Sequence, residues 1–492
     1  MCHMKKSVYL NSTLLTDFYE LTMANGYFVR GFGDREVCFD MFFRSVPDGG
    51  GYAIMAGVEQ LIDYLKNLSF DLEDIAYLRS KKCFSEEFLQ YLLHFKFVCD
   101  VWAIPEGTPI FPGEPIVTVR GPVIQAQFIE TMLLLLINHQ SLIATKANRV
   151  CRAAQGRAVM EFGSRRAQGG DGAVLGARAA FIGGCAATAC AMADRDYGIP
   201  ATGTMAHSWV MMFDSEYEAF RAYAEEYPDN CTLLIDTYSV LKSGLPNAIR
   251  VFREVLEPMG YRPKGIRIDS GDLAYLSREV RRILDSEGFP DCKIVVSNAL
   301  DEFIIKDLLS QNAPIDSFGV GERLITSRSE PVFGGVYKLS GVVKEGELIP
   351  KLKLSENVGK MTTPGFKSVW RLFDNATNHA IADVVTLHEE EITNDEPYLL
   401  FDPEHVWKSQ WVDDFHAVRL PVQIFRKGEC CYQSPDIHEI QGYCKKQVAT
   451  LWDEVLRFEN PHRYYVDLSK PLWDIKNELI TQARIASYPR KK

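Results

Sequence analysis

The sequence lacks most of the short motifs that place a chain in a functional class at once. Its 492 residues contain 12 cysteines, too few for a disulfide scaffold, so we expect buried, reduced thiols. No stretch matches GxxxxGK[ST], which excludes nucleotide binding through a P-loop. No CxxC pair occurs, and Cys430, Cys431, His438 and Cys444 do not follow a regular zinc spacing.

Positive charge and long apolar runs are scarce as well. The chain has 54 Lys and Arg against 65 Asp and Glu, a net charge of −11, which argues against nucleic acid or an anionic membrane as the main partner. The longest weakly polar stretch, residues 174–193, contains Arg178 and three glycines, so we predict a tightly packed buried helix there and no membrane span. The opening MCHMKKSVYLNS has no apolar core of a secretory signal, which favours a cytoplasmic protein.

The character of the sequence changes twice along the chain. Up to residue 140, helical stretches mix with strand-like pieces punctuated by Gly and Pro, a pattern typical of antiparallel sheet. The length suggests about three domains. We predict an N-terminal α+β domain over residues 1–140, an α/β barrel catalytic domain over 141–335, and a C-terminal domain over 336–492 that partly completes the first.

The central part alternates short apolar runs with amphipathic helices. The runs begin at Arg157, Ile199, Thr232, Gly265, Lys293 and Ser317. Apolar strands that alternate with helices predict a parallel sheet buried on both faces. Six units without a Gly-rich phosphate fingerprint after the first favour a barrel over a doubly wound sheet.

Residues with catalytic potential follow these runs, where the carboxyl ends of parallel strands carry the function of a barrel. They are Arg165, Arg166, His207, Asp236, Asp269, Asp272, Gly319 and Gly321. Arginines, a histidine, paired aspartates and exposed glycine amides suit an anionic, phosphorylated substrate with a divalent metal.

Several of these residues also have a purely structural interpretation. His207 could be a surface histidine, and Arg165 and Arg166 could lie in the first turn of a solvated helix. Cations are disfavoured at a helix N-terminus unless they bind an anion, however. Asp272 has the position of a helix N-cap.

Six segments in this order resemble the nicotinate phosphoribosyltransferases, a type II phosphoribosyltransferase family. They are LLTDFYELTMANGY from Leu14, EFGSRRAQGGDGA from Glu161, GTMAHSWVMMF from Gly203, LLIDTYSVLKSG from Leu233, IRIDSGD from Ile266 and SFGVGERLITS from Ser317. The resemblance covers nearly the whole chain and implies an incomplete α/β barrel with an N-terminal α+β domain and a C-terminal region. It implies ATP-coupled transfer of a phosphoribosyl group from phosphoribosyl pyrophosphate to nicotinate, which gives nicotinate mononucleotide and pyrophosphate for NAD synthesis.

The resemblance also implies roles for single residues. His207 matches the histidine that ATP phosphorylates, with Asp269 as a second catalytic residue. The expected nicotinate-binding residues are Tyr19, Phe162, Arg165, Thr204 and Arg267. The expected phosphoribosyl pyrophosphate-binding residues are Arg165, Arg166, Asp236, Ser270, Gly271, Gly319 and Gly321. Asp269 and Asp272 are the expected Mg²⁺ ligands, and Tyr19 comes from the neighbouring subunit of a homodimer with shared sites.

One position departs from the family pattern, and other functions remain open. Glu322 stands where some members carry a threonine that contacts the phosphoribosyl substrate, and a carboxylate repels phosphate. Residues 183–191 contain no acid where the related nicotinamide enzyme has an aspartate, which favours nicotinate. The alternatives are the same fold acting on nicotinamide or quinolinate, a barrel hydrolase that uses Asp269 and Asp272 as an acid/base pair, and a non-catalytic regulatory or scaffold subunit.

Overall fold

The computed structural model describes residues 12–354 and 361–486. The amino-terminal segment for which we predict no secretory signal therefore lies mostly outside the described residues. The chain divides into two compact units, the first made of Met1–Leu142 and Val332–Lys492 and the second of Ile143–Pro331. Within the described residues, no helix is both long enough and apolar enough to cross a membrane. The three-domain division stays a prediction.

The first unit opens with helices around antiparallel strands. The helices are α1 (Phe18–Val29), α2 (Val58–Asn67), α3 (Leu72–Ser80), α4 (Glu86–Leu93), α5 (Val123–Phe128) and α6 (Glu130–Ala153), of which α6 continues into the second unit. The strands are β1 (Glu36–Phe42), β2 (Ala53–Ile54), β3 (Asp100–Ala103), β4 (Pro109–Ile110) and β5 (Val117–Pro122). The pairs β3–β5 and β2–β4 are antiparallel. This confirms the antiparallel sheet that the Gly- and Pro-punctuated sequence before residue 140 predicts.

The second unit alternates strands and helices. Its elements are β6 (Ala158–Glu161), α7 (Gly169–Ile182), β7 (Ala187–Thr188), α8 (Ala191–Tyr197), α9 (His207–Met211), α10 (Glu216–Glu226), β8 (Thr232–Leu234), α11 (Leu245–Val251), β9 (Gly265–Ile268), α12 (Leu273–Ser286), β10 (Lys293–Val296), α13 (Glu302–Ser310), β11 (Ser317–Val320) and α14 (Glu322–Ile325). Asp272 caps α12, as the sequence predicts, by accepting from the Tyr275 amide at 2.9 Å. Leu273, Val280 and Leu284 bury one face of that helix.

The strands of the second unit form one parallel sheet in the order β7-β6-β11-β10-β9-β8. The first and last strands, β6 and β11, are neighbours, so the chain order runs round the sheet with one break between β7 and β8. A doubly wound sheet would instead reverse its order in the middle. Within the described residues the sheet is open at that break, so a closed barrel is not formed.

Two local predictions for this unit are wrong. The run from Ile199 forms only an isolated bridge between Ala201 and Thr188. The helix predicted over residues 174–193 ends at Ile182 and gives way to β7. The reason is a close approach to α6, because a Cβ at Gly183 would lie 2.4 Å from the Ala144 carbonyl oxygen.

The remaining chain of the first unit is mostly sheet. Its elements are β12 (Val336–Lys344), β13 (Glu347–Pro350), β14 (Lys367–Asp374), β15 (Ala380–Leu387), β16 (Tyr398–Phe401), β17 (Ser409–Val412), β18 (Phe415–Arg419), β19 (Val422–Arg426), β20 (Glu429–Cys430), α15 (Ile437–Val448), β21 (Val466–Leu468) and α16 (Lys470–Ala486). The sheet order β13-β12-β1-β5-β3-β19-β20 interleaves this chain with the amino-terminal strands. A second sheet, β18-β14-β15-β21, encloses a core around Leu372 and Val384.

Candidate active site

Arg267 lies on β9 and is held by groups from the end of β10 and from the loop before α9. Its Nε donates to Ser297 Oγ at 3.0 Å, and its Nη1 donates to Thr204 Oγ1 at 2.8 Å and to the Met205 carbonyl at 3.3 Å. The guanidinium carbon lies 6.0 Å from the centre of the Phe162 ring. The predicted residues Arg267, Thr204 and Phe162 are therefore brought together, and a fixed cation stands beside an aromatic ring.

Phe162 follows β6 and packs against β11. Its backbone amide donates to the Val320 carbonyl at 2.7 Å. A Cβ at Gly319 would lie 2.5 Å from Phe162 Cδ2, so the ring occupies the space that a side chain there would need. Because glycine has no side chain, Gly319 leaves room for the Phe162 ring. This role is separate from the phosphate contact that the sequence predicts.

Asp269 and His207 face each other at the end of the sheet. Oδ2 of Asp269 lies 3.9 Å from His207 Nε2, and Nδ1 of His207 lies 3.1 Å from Thr237 Oγ1. The hydroxyl of Ser297 donates to Asp269 Oδ1. Because Thr237 engages Nδ1 and the His207 side chain is 39% exposed, the imidazole presents Nε2 to Asp269 and the solvent-accessible side of the site.

Asp236, after β8, supports the turn that carries Asp269. One carboxylate oxygen accepts from the Asp269 amide at 3.1 Å and from Ser270 Oγ at 2.5 Å. Its other oxygen is buried, with no hydrogen-bond partner among the described residues. Gly271 adopts a φ of +79°, which glycine tolerates best, directly before the N-cap Asp272.

Side chains that could bind a metal ion are sparse at the carboxyl ends of the parallel strands. In the part of the chain that the structure describes, no group of three or more His, Cys, Asp or Glu residues is placed to hold a metal ion. The cap on α12 occupies an oxygen of Asp272, one of the two predicted metal ligands. Asp236 and Asp269 both contact other predicted groups, and Mg²⁺ sites on phosphate substrates commonly use only one or two carboxylates.

Arg165 and Arg166 lie in a single 3-10 turn, Ser164–Arg166, after β6. Both are exposed, and no ion pair among the described residues includes either guanidinium. The turn is anchored by buried Glu161, whose carboxylate accepts from the Gly163 amide and from Thr188 Oγ1 at 2.7 Å. Burial raises the pKa of Glu161. The arginines are therefore available to an anion and are not in the first turn of an α-helix.

Tyr19 is the predicted nicotinate-binding residue that lies in the first unit. It projects from α1 beside a cavity of about 450 Å³ that is also lined by Phe32, Arg35, Glu130 and Lys338. The ring is 44% exposed. Burial of its hydroxyl and the nearby Glu130 carboxylate raise its pKa, so the phenol stays protonated at neutral pH.

Comparison with known proteins identifies the family. Residues 14–138 match the N-terminal domain of nicotinate phosphoribosyltransferase, and residues 366–476 match its C-terminal domain. The nicotinate phosphoribosyltransferase of Bacillus subtilis is 41% identical over 472 residues, which cover 96% of each chain. That of Caenorhabditis elegans is 34% identical and covers 98% of this chain and 95% of its own. The chain belongs to the nicotinate phosphoribosyltransferase family.

Solved structures agree with this family assignment. The crystal structure of human nicotinic acid phosphoribosyltransferase superposes with a TM-score of 0.83 at 29% identity, covering 95% of this chain and 100% of the human chain. A nicotinate-nucleotide pyrophosphorylase from Pyrococcus furiosus has a TM-score of 0.69 at 24% identity, covers 91% of this chain and 99% of its own, and shows likeness of fold alone. The resemblance predicted from six sequence segments is confirmed.

Glu322 is the departure from the pattern of nicotinate phosphoribosyltransferases noted in the sequence. It begins α14, and its carboxylate accepts from Arg328 Nη1 at 3.1 Å, with both side chains exposed. The ion pair reduces the negative charge that Glu322 would otherwise direct at a phosphate.

Four residues that shape this nicotinate phosphoribosyltransferase site are not among the predicted site residues: Glu161, Thr188, Thr237 and Ser297. Each follows or ends a strand, but none belongs to a charge pair or motif that stands out. The recurrence of polar residues at strand exits is the signal that points to Thr237 and Ser297, since each directly follows an apolar run or its terminal residue.

Proposed function

We propose that the chain transfers the phosphoribosyl group of phosphoribosyl pyrophosphate to nicotinate, coupled to ATP hydrolysis, in the salvage of nicotinate for NAD synthesis. The observation that carries this proposal is the fixed guanidinium of Arg267 beside the ring of Phe162. A planar cation next to an aromatic face suits an aromatic ring that bears a carboxylate. The names of the curated relatives point to the same substrate.

The nicotinate ring stacks on Phe162, with Thr204 and Arg165 completing its pocket. Tyr19 of the partner subunit covers the other face of the ring, which makes the protein a homodimer with shared active sites. The exposure of its ring on α1 supports this role, because an accessible aromatic face is available for stacking. We place the protein in the cytoplasm.

The phosphoribosyl substrate binds along the exits of the other strands. Arg165 and Arg166 bind phosphate oxygens, and backbone amides of Gly271, Gly319 and Gly321 with the Ser270 hydroxyl add neutral donors. Asp236, also a predicted phosphoribosyl pyrophosphate-binding residue, supports this edge by accepting from the Asp269 amide and the Ser270 hydroxyl. The nicotinate nitrogen then attacks ribose C1 as pyrophosphate leaves through an oxocarbenium-like transition state, and the arginines stabilise the departing charge.

His207 accepts the phosphoryl group of ATP at the imidazole, which is a competent nucleophile near neutral pH. The attacking nitrogen is Nε2, ADP is the leaving group, and Nδ1 keeps the ring proton, which it donates to Thr237 Oγ1. Asp269 orients the ring from the side of Nε2. Mg²⁺ fits the donor set of Asp269 with Asp236, whose buried oxygen has no partner among the described residues. Asp272 remains a predicted ligand alongside its role as the cap of α12. When bound, Mg²⁺ would neutralise charge on the pyrophosphate.

We propose that the open parallel sheet is the incomplete α/β barrel of the family, with its gap between β7 and β8. The cyclic strand order supports this interpretation, because only that one neighbour pair is missing from the series. The domain boundaries at residues 140 and 335 are proposed on the same basis.

The decisive experiment compares three bases in parallel. The purified chain is given phosphoribosyl pyrophosphate, ATP and nicotinate, nicotinamide or quinolinate, and we expect the mononucleotide from nicotinate alone. Equal turnover of nicotinamide would overturn the assignment, and hydrolytic activity without either phosphorylated substrate would favour the Asp269 and Asp272 hydrolase. His207→Ala should lose ATP hydrolysis and an acid-labile, base-stable phosphate, while the control His94→Ala, an exposed histidine after α4, keeps both.

A further inference from the structure

We propose that Ser297 is a positioning residue for the reaction, because its hydroxyl keeps the ion pair of Arg267 and Asp269 from closing to hydrogen-bond distance. This inference rests on the proposed transfer to nicotinate. One oxygen atom performs both tasks, since Ser297 Oγ accepts from Arg267 Nε at 3.0 Å and donates to Asp269 Oδ1.

Ser297 is itself held rigidly. It directly follows β10, it is 4% exposed, and its amide donates to the Ile268 carbonyl at 3.0 Å. That carbonyl belongs to β9, the strand that carries Arg267. The hydroxyl is therefore fixed relative to the guanidinium by the sheet as well as by its own hydrogen bonds.

The backbone after Ser297 is strained. Asn298 and Ala299 adopt φ angles of +92° and +44°, a region that residues with a side chain seldom occupy. Two such residues in succession persist only where the surroundings impose them, and they are typical of functional sites. The strained turn supports the view that the position of Ser297 matters to the site and is not a by-product of an ordinary strand end.

The gap that Ser297 maintains is small. Arg267 Nη2 and Asp269 Oδ1 lie 3.6 Å apart, beyond hydrogen-bond range. Without the hydroxyl, an arginine and a carboxylate at this separation would close into a bidentate pair. That pair would neutralise the guanidinium that meets nicotinate, while Asp269 Oδ2 stays on the side of His207.

The test is Ser297→Ala with kinetics on each substrate. We expect the KM for nicotinate to rise about tenfold or more, because a hydrogen bond to a charged group is lost and the cation is engaged elsewhere, while the KM for phosphoribosyl pyrophosphate stays within about twofold. Ser297→Thr, which keeps the hydroxyl, should restore most of the affinity. Ser277→Ala is the matched control, since Ser277 is fully buried and its hydroxyl donates only to the Ala274 carbonyl within α12.

Each outcome decides the proposal. If Ser297→Ala has the wild-type KM for nicotinate, the positioning role is overturned. An equal rise of the KM values for nicotinate and phosphoribosyl pyrophosphate would also overturn it, because it would indicate a general structural effect. If the alanine variant does not fold, Ser297→Thr against Ser297→Val answers the question, because the two side chains share a shape and differ in the hydroxyl. Failure of the wild-type chain to use nicotinate would appear before any variant is made and would overturn the proposed function together with this inference.

Discussion

Arg267 is the residue on which the proposed preference for a carboxylate depends. Nε and Nη1 donate to protein oxygens, which leaves Nη2, 3.6 Å from Asp269 Oδ1 and beyond hydrogen-bond range, for substrate. Lysine cannot satisfy Ser297, Thr204 and a carboxylate together, since it lacks the planar fork. We expect Arg267→Lys to raise the KM for nicotinate at least about tenfold in initial-rate assays. Arg278→Lys, at an exposed arginine on α12, should leave it unchanged, and a threefold or smaller change in Arg267→Lys would contradict the role.

The buried carboxyl group of Glu20 should make the stability of the folded protein depend on pH. It is fully buried on α1 and accepts from the Thr131 hydroxyl at 2.6 Å and amide at 3.1 Å. Burial raises its pKa to about 7, against 4.5 ordinarily. The folded state therefore binds this proton more tightly, and the resulting stability is fully present below pH 4.5 and is lost as the pH rises through 7.

Glu20→Gln cannot ionise, so we expect it to gain stability relative to the wild type as the pH rises from 5 to 8, by up to about 3 kcal/mol. Urea unfolding of both proteins across this range measures the difference. Asp467, whose pKa burial also raises to about 7, is present in both proteins and cancels. A difference that does not vary with pH would show that Glu20 is not protonated by burial.

Some residues of the candidate site can be predicted from the sequence, and others cannot. His207 and Arg267 are charged or titratable groups near apolar runs. The structure places Arg267 with Thr204 and Phe162, and His207 opposite Asp269. Ser297 and Thr237 are common, uncharged residues whose importance depends on the direction of a side chain at an adjacent strand exit. That direction is a tertiary property, which no local pattern encodes.

At the scale of elements, the packing of β11 against Phe162 can be tested. Gly319→Ala places a methyl group 2.5 Å from the ring, so the ring must move. We expect the KM for nicotinate to rise about three- to tenfold, the value of one aromatic stacking contact, with a loss of about 1–3 kcal/mol in the free energy of unfolding.

The matched control is Gly442→Ala in α15, where no atom lies within 4 Å of the added methyl group. That substitution should stabilise the protein by about 0.5–1 kcal/mol and leave the KM unchanged. Thermal unfolding and steady-state kinetics on both variants provide the comparison. An unaltered KM in Gly319→Ala would mean that Phe162 does not meet the substrate.

Strands of the second unit could be predicted from the sequence where an apolar run was long enough to show a strand pattern. The runs from Thr232, Gly265, Lys293 and Ser317 all contain parallel strands. β7 has two residues, too few for a periodicity, and it lies in alanine-rich text that favours helix. The run from Ile199 has a strand-like composition but only one bridge partner, and pairing depends on a neighbour as well as on composition.

At the scale of the whole molecule, the net charge of the protein does not indicate the charge of its proposed substrates. A net charge of −11 belongs to a chain whose proposed substrates are all anions. Exposed charges are screened within about 8–10 Å at physiological salt. The guanidinium groups of Arg165 and Arg166, which form no ion pair among the described residues, therefore contribute to the local field more than distant surface charges do. The sequence predicted that chain after residue 335 helps to complete the first domain, but it did not show which strands pair, such as β1 with β12 about 300 residues later.

The shared-site dimer gives the last prediction. If Tyr19 acts in the partner's site, Tyr19→Ala and Arg267→Ala disable opposite halves of each site. When the two variants are unfolded together and refolded, half of the dimers are mixed and each holds one intact site, so activity should return to about a quarter of the wild-type value. The control mixes Arg267→Ala with His207→Ala, both in the second unit, and should recover nothing. Recovery in both mixtures, or in neither, would contradict a site that takes Tyr19 from one subunit and Arg267 from the other.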